Sequence, residues 1–366
     1  MSNYIVRDGK YIFHPGYAVK DIIDEYEMTQ NEFAQRMNTT PKTLSLLING
    51  LCSITLDLAE KLACVTGVST EAWLNMQRSF DIEFAKQEKT ERINVQKRYL
   101  NYLDYAYFKD ADTPIKATND EEKIANLCRY FRVADLSLLK CTDFLVNYNS
   151  DSYPMNESEL VCSQAWLQTA INYSRNIKSK SFNADKLKEA LLVIRKLTVK
   201  KPAEFIPCIE QLLEECGVVF VFLPYLKGSH IHGAVRWFNN KKVMIAMNDK
   251  DYTAESFWFA LMHEIKHVLQ NKLKTVFVSC SGNKGVMLNE KLEHEAEKFA
   301  MDFFVSSKQF QSWLKRGDYS SPAVKAFAVE LELHPGIIVG MMERNLDQEL
   351  PELHSLKEKY KLEYIG

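Results

Sequence analysis

Residues 257–267 read Phe257-Trp258-Phe259-Ala260-Leu261-Met262-His263-Glu264-Ile265-Lys266-His267, within an unbroken helical run from Thr253 to Gln270. Helix geometry sets residues four apart on one face, so His263 and His267 can offer two imidazole nitrogens to one Zn²⁺. Glu264, one step round the helix, then reaches a metal-bound water as a general base rather than the ion itself. At about 100° per residue, Phe257, Trp258, Leu261, Met262, Ile265, Val268 and Leu269 gather on one arc. His263, Glu264 and His267 share a neighbouring arc. A surface helix that happens to carry two histidines would not need that segregation.

Tetrahedral zinc needs a third protein ligand and leaves its fourth position for water. The run from Glu290 to Phe304 offers it, with an apolar stripe of Leu292, Ala296, Phe299, Ala300, Phe303 and Phe304. Glu293 and Glu297 flank the stripe, where a carboxylate without a partner is costly. Glu293 as ligand and Glu297 as acceptor for a histidine N–H would compensate both. Ion pairing on a solvated face suits Glu290 and Glu295 better. His294 is the alternative ligand, although it projects away from Glu297 and the stripe.

The N-terminal end carries different signals. A first helix spans Tyr17 to Tyr26, and Thr29-Gln30-Asn31-Glu32 forms a capping box that opens a second, Gln30–Met37. Asn38-Thr39-Thr40 makes a turn, Pro41 takes the first helical position, and Lys42–Ile48 follows before Asn49-Gly50. Two short helices across a three-residue turn are a helix-turn-helix signature. Thr55–Val65, stopped by Gly67, and Thr70 to about Lys86 complete a five-helix unit. In this geometry the second helix of the motif enters the DNA major groove. Thr40, Lys42, Thr43 and Ser45 are then the candidate DNA contacts, with Gln30 near a phosphate. Residues 1–80 hold seven Lys/Arg against nine Asp/Glu, so a basic footprint has to be confined to one face. The rival use of the motif is protein contact alone.

Two resemblances extend these readings. Phe257 to His267 followed by Glu293-His294-Glu295-Ala296-Glu297-Lys298-Phe299-Ala300 resembles the ImmA/IrrE family of zinc metallopeptidase domains, which places H-E-x-x-H before an E-x-x-A-[N/D]-x-F-A helix. Leu212–Pro224 resembles that family's helix-to-strand entry, Gly233–Phe238 with Lys242–Ala246 its hairpin, and His334–Gly340 a C-terminal segment. Lys266 replaces a usual small residue, Glu297 stands where Asn or Asp is common, and Val305-Ser306 replaces an Ile/Met-Pro pair. The resemblance covers roughly residues 160–360 and implies a zincin-like, zinc-dependent endopeptidase. Phe13-His14-Pro15-Gly16, Met28–Ala34, Pro41–Ser45, Ile48-Asn49-Gly50 and Glu71–Gln77 resemble HigA-type antitoxins of the Xre helix-turn-helix class. That resemblance implies a self-repressing, dimeric antitoxin of a toxin-antitoxin system, although similar modules also serve as plain repressors.

Strand signals are short. Val219–Leu223 and Val243–Met247 are apolar and rich in β-branched residues, bounded by turn residues such as Gly228 and Asn239-Asn240. A strand edge beside the metal helix could hold an extended peptide by β-augmentation or could simply support the helix. His230 and His232 precede Gly233 and could supply an electrophile or be solvated loop residues. Asp81 to Leu103 reads as a charged connecting helix, helix resumes at Ile124–Phe131, and Asn147–Asn156 is the best boundary loop.

At 366 residues, with 46% hydrophobic and 26% charged residues, the chain exceeds the usual size of one core. A net charge of −2 gives no general affinity for polyanions or membranes. No apolar run nears the roughly 20 residues that span a bilayer, and the N-terminus lacks a signal-peptide core. Eight cysteines without a C-x-x-C pair read as reduced thiols, hence a cytoplasmic protein. The expectation is an α+β, mostly α chain of three parts. Residues 1–80 form a five-helix helix-turn-helix domain, 81–155 a helical linker, and 156–366 a metallopeptidase domain with a small β-sheet. Its partners would be Zn²⁺, double-stranded operator DNA, a repressor-protein substrate or cognate toxin, and a second copy in a homodimer. The rival expectation is a non-catalytic antitoxin whose second domain binds a toxin or senses a ligand.

Overall fold

The computed structural model describes residues 4–7, 10–110, 113–114, 116–141, 155–250, 252–271, 276–280 and 290–360. The chain divides into two compact units, Met1–Val95 and Gln96–Gly366. The first unit opens with the antiparallel strands β1 (Tyr4–Arg7) and β2 (Lys10–Phe13), which the expectation did not include. Helices α1 (Gly16–Glu25), α2 (Gln30–Arg36), α3 (Pro41–Ile48), α4 (Leu56–Thr66) and α5 (Thr70–Leu100) follow.

Polar caps set these helix starts. Thr29, Thr40 and Thr55 each accept a hydrogen bond from the backbone N–H three residues on. Gly67, in the left-handed region at φ 74°, closes α4. Val19, Ile23, Phe33, Ala34, Leu44, Leu47, Leu62 and Trp73 make the core of this unit. The fifth helix does not stop near Lys86: it continues to Leu100, because neither glycine nor proline interrupts it.

In the second unit, Gln96 near the end of α5 is buried and accepts from the Leu136 N–H at 3.0 Å. A 3-10 turn at Tyr105–Tyr107, strands β3 (Lys109–Asp110) and β4 (Thr113–Pro114), helix α6 (Asp120–Phe131) and a 3-10 turn at Leu136–Lys140 come next. Residues read as linker thus fall on both sides of the Val95/Gln96 division. The loop expected at 147–156 lies outside the described residues up to 154, and Asn156 caps α7.

Helices α7 (Glu157–Asn176), α8 (Ala184–Lys196) and α9 (Pro202–Glu215) lead into the sheet. The sheet comprises β5 (Val218–Leu223), β6 (Ile231–Trp237), β7 (Val243–Asn248) and β8 (Val276–Cys280), with helix α10 (Ala254–Gln270) between β7 and β8. Its order is β5-β7-β6-β8, with β5 and β7 parallel and the other pairs antiparallel. The expected hairpin is β6–β7, in register at Trp237 and Val243. Strand β8 was not expected. Helices α11 (Glu290–Phe304), α12 (Ser307–Leu314), α13 (Ser321–Glu330) and α14 (Pro335–Leu346) and a 3-10 turn at Pro351–Leu356 follow.

Every residue of β5 and β7 is buried, so both sheet faces are covered. Val218, Phe220, Phe222, Val235, Trp237 and Ile245 share one core with Phe257, Trp258, Leu261 and Ile265 of α10. Helix α7, buried from Leu160 to Ile171, packs against β5 and β7 from the opposite face. The chain is therefore a mostly helical α+β protein with a small mixed sheet. Among the described residues no helix is long and apolar enough to cross a membrane.

Candidate functional site

Helix α10 begins where the Ser256 hydroxyl accepts the Thr253 N–H at 2.9 Å, and ends at Asn271 in the left-handed region at φ 50°. Between these ends, His263 and His267 point the same way, their Nε2 atoms 2.9 Å apart. Helix α11 packs on α10 and brings the Glu293 Oε2 to 3.3 Å from His263 Nε2 and 3.4 Å from His267 Nε2. The three ligand atoms lie within 4.8 Å of one another. Ligand atoms of a tetrahedral zinc, at bonds of about 2.0–2.1 Å, stand about 3.3 Å apart. The donor set fits that ion in type and in spacing. His294, the alternative ligand, is exposed.

The surroundings orient these groups. The Gln270 side-chain amide donates to Leu292 O at 2.7 Å, so its Oε1 is the atom 2.9 Å from His267 Nδ1. His267 therefore donates from Nδ1 and keeps a lone pair on Nε2, as metal binding requires. Gln270 takes the role expected of Glu297, which is exposed and acts on His263 through its charge. The reason is geometric: Gln270 lies one turn beyond His267 on the same helix. Burial alone would lower the His263 pKa, but the Glu293 hydrogen bond and the charges of Glu264, Glu293 and Glu297 raise it. Burial likewise opposes ionisation of Glu293, yet its bonds to both histidines hold its pKa at about 2.

Glu264 is 1% exposed. Its carboxylate lies against β6, where a Cβ on Gly233 would overlap Glu264 Oε1. The His267 ring stacks on Phe277 of β8 with centroids 4.0 Å apart. Gly233, Gln270 and Phe277 are thus site residues that the sequence reading missed. The i,i+3 spacing of His267 and Gln270 was the available signal for one of them. His232 is not in a loop: it lies in β6, at a register shift between Ile231 and Gly233. Its ring stands edge-on to Tyr252, 6.2 Å away, and burial with the nearby Glu264 and Asp249 charges pushes the Tyr252 pKa up. His230 sits in the turn before β6, with Nε2 3.5 Å from Glu159. Lys266 lies with Nζ 5.8 Å from the Phe299 ring.

In the first unit, α2 and α3 form the expected two-helix motif across Met37–Thr40. Gln30 and Lys42 are exposed, and Thr43 and Ser45 half-buried. The Thr40 hydroxyl is engaged locally: it caps Thr43 N at 3.1 Å and lies 2.8 Å from Thr43 Oγ1. Arg36 and Lys61 each pair with a carboxylate of their own helix at 2.8 Å.

Comparison with known proteins places this first unit. The helix-turn-helix family matches residues 19–73. An uncharacterised HTH-type transcriptional regulator of Escherichia coli K12, YddM, is 34% identical over 86 residues, which are 24% of this chain and 89% of YddM. A candidate antidote protein of a plasmid maintenance system from Nostoc punctiforme is 34% identical, covering 22% of this chain and 87% of that one, with a TM-score of 0.21. A HigA-family addiction module antidote protein of Coxiella burnetii is 29% identical, covering 23% of this chain and 94% of that one, with a TM-score of 0.22. These likenesses bear on the N-terminal unit alone. Through that unit, the chain belongs to the helix-turn-helix family of HTH-type transcriptional regulators.

Proposed function

We propose that the protein is a DNA-binding regulator of antitoxin type whose second unit is a zinc-dependent endopeptidase acting on a regulatory protein. The observation that carries the second half is the convergence of His263, His267 and Glu293 within 4.8 Å, with Glu264 buried beside them. When bound there, Zn²⁺ would supply Lewis-acid polarisation and an acidified water. Glu264 would take the proton of the attacking water and hand it to the leaving amine. His267, its tautomer fixed by Gln270, and Glu293, held ionised, would keep the donor atoms turned to one point. In the first unit, Lys42, Thr43 and Ser45 on α3 would face operator DNA, with Gln30 at the backbone.

The test is elemental. Purified protein should carry about one Zn²⁺ per chain, and His263→Ala with His267→Ala should abolish it. Stoichiometric zinc in that double variant would sink the metal assignment. A second reading, a non-catalytic antitoxin whose second unit holds a toxin, rests on the HigA-like motif run of residues 13–80. Co-expression with the product of the neighbouring gene separates the two: cleavage supports the peptidase, whereas an intact stoichiometric complex supports the antitoxin.

A further inference from the structure

The site just described is rich in negative charge, with Glu264, Glu293 and Glu297 around two histidines. One cation stands at its edge. The Arg344 guanidinium of α14 lies over the Phe259 ring, 3.8 Å from its centroid. Phe259 is one helical turn before His263, about 6 Å along the α10 axis. The Glu297 charge acts on both Arg344 and His263, which sets the guanidinium at the same opening. Arg344 keeps solvent contact, yet protein atoms crowd it enough that burial lowers its pKa.

The carboxylates nearest to Arg344 are already engaged. Glu255 pairs with Lys357 at 2.9 Å and accepts from the Thr253 hydroxyl. Glu343 pairs with Lys357 at 2.7 Å and His354 at 3.2 Å, and accepts from Leu350 N at 3.1 Å. Among the described residues no carboxylate lies within 4.0 Å of the Arg344 guanidinium. Its planar face is used by the ring, while its N–H edge remains directed to an outside acceptor. A guanidinium stacked in this way is held rigid and presents the fork geometry that takes a carboxylate in two parallel bonds.

We propose that Arg344 recognises an acidic side chain of the bound polypeptide, close to the residue held at His263, His267 and Glu293. The peptidase would then select substrates with Asp or Glu beside the bond it cuts. This rests on the zinc-site reading. Without such a residue, the acidic surroundings would disfavour an acidic peptide, so Arg344 reverses the preference that the other side chains impose.

The experiment measures binding rather than turnover. Zinc-loaded full-length protein is titrated with acetyl-Leu-Asp hydroxamate and acetyl-Leu-Asn hydroxamate, and with the Glu and Gln pair, by calorimetry. Wild type should bind the acidic member about tenfold more tightly, about the worth of one charged pair. Arg344→Met should bind both alike, and Arg344→Lys should keep part of the preference. Zinc content and melting temperature confirm that each variant is folded. Equal binding of acid and amide by wild type overturns the proposal. So does a preference that survives in Arg344→Met, which would move recognition to Lys266. If zinc is present and no hydroxamate binds, the reading of the metal centre as a peptide site fails, and this inference with it.

Discussion

At the residue scale, Gly233 and Glu264 are a matched pair. Glycine at 233 leaves the space that the Glu264 carboxylate fills against β6, and any Cβ would overlap Oε1. The obstructing atoms belong to the end of a flexible side chain, so Gly233→Ala should fold with a cost of about 1–2 kcal/mol. The carboxylate should be displaced from the general-base position while both histidines stay in place. We expect Gly233→Ala to retain full zinc and to lose peptide cleavage nearly as far as Glu264→Gln, by at least about 100-fold. Parallel metal analysis and cleavage assays decide it. Loss of zinc in Gly233→Ala would mean that the glycine serves the metal ligands instead.

At the element scale, the C-terminal segment holds the start of α10. Tyr360 N–H donates to Tyr252 O at 2.9 Å, Ala254 N–H to Glu358 O at 2.8 Å, and Trp258 Nε1 to Tyr360 Oη at 3.1 Å. Lys357 bridges Glu255 and Glu343 below these bonds. Burial opposes the Glu343 charge, but its bond to Lys357 lowers its pKa below 4.5. Burial also opposes the Lys357 charge, but its two carboxylates raise its pKa above 10.5. A depressed acid stabilises above its unfolded pKa and loses that contribution as pH falls. A raised base stabilises below its unfolded pKa and loses it as pH rises. The clamp is therefore at full strength between pH 4.5 and 10.5. Lys357→Met should cost about 3 kcal/mol and speed hydrogen exchange at residues 252–258 and 350–360. Unchanged exchange there would show that the backbone bonds suffice. In the first unit, Thr40→Ala should cost about 1 kcal/mol through the lost cap of α3, read from urea melts. Lys42→Ala should leave stability alone and weaken operator binding by about 1–3 kcal/mol if it meets a base edge. Equal gel-shift affinity would assign α3 to protein contacts.

At the scale of the whole molecule, the two activities lie in separate compact units that meet within α5. Changes in one should therefore leave the other intact. Glu264→Gln should keep fold, zinc and promoter repression while cleavage of a co-expressed partner disappears. Measured in the same cells, cleavage lost with repression retained supports a regulatory peptidase. Wild type and Glu264→Gln that neutralise a toxin equally, with nothing cut by either, would make the zinc site structural or sensory.

Local rules settled much of this in the sequence. The i,i+4 histidines, the stripe that flanks Glu293, and the threonine caps at 29, 40 and 55 depend only on helix geometry and nearby backbone groups. The strands β1 and β2 were legible too, since Asp8-Gly9 between them is a hairpin dipeptide, but that signal went unread. Other features have no local cause. That Glu293 rather than His294 faces the histidines follows from how α11 packs on α10. Phe277 reaches His267 because β8 pairs with β6 across the sheet. The opening around Gly233 exists because β6 runs beneath α10. Arg344 comes to the site edge from α14, some 80 residues along the chain. Periodicity fixes which face a side chain takes, whereas only packing between distant elements fixes what that face meets.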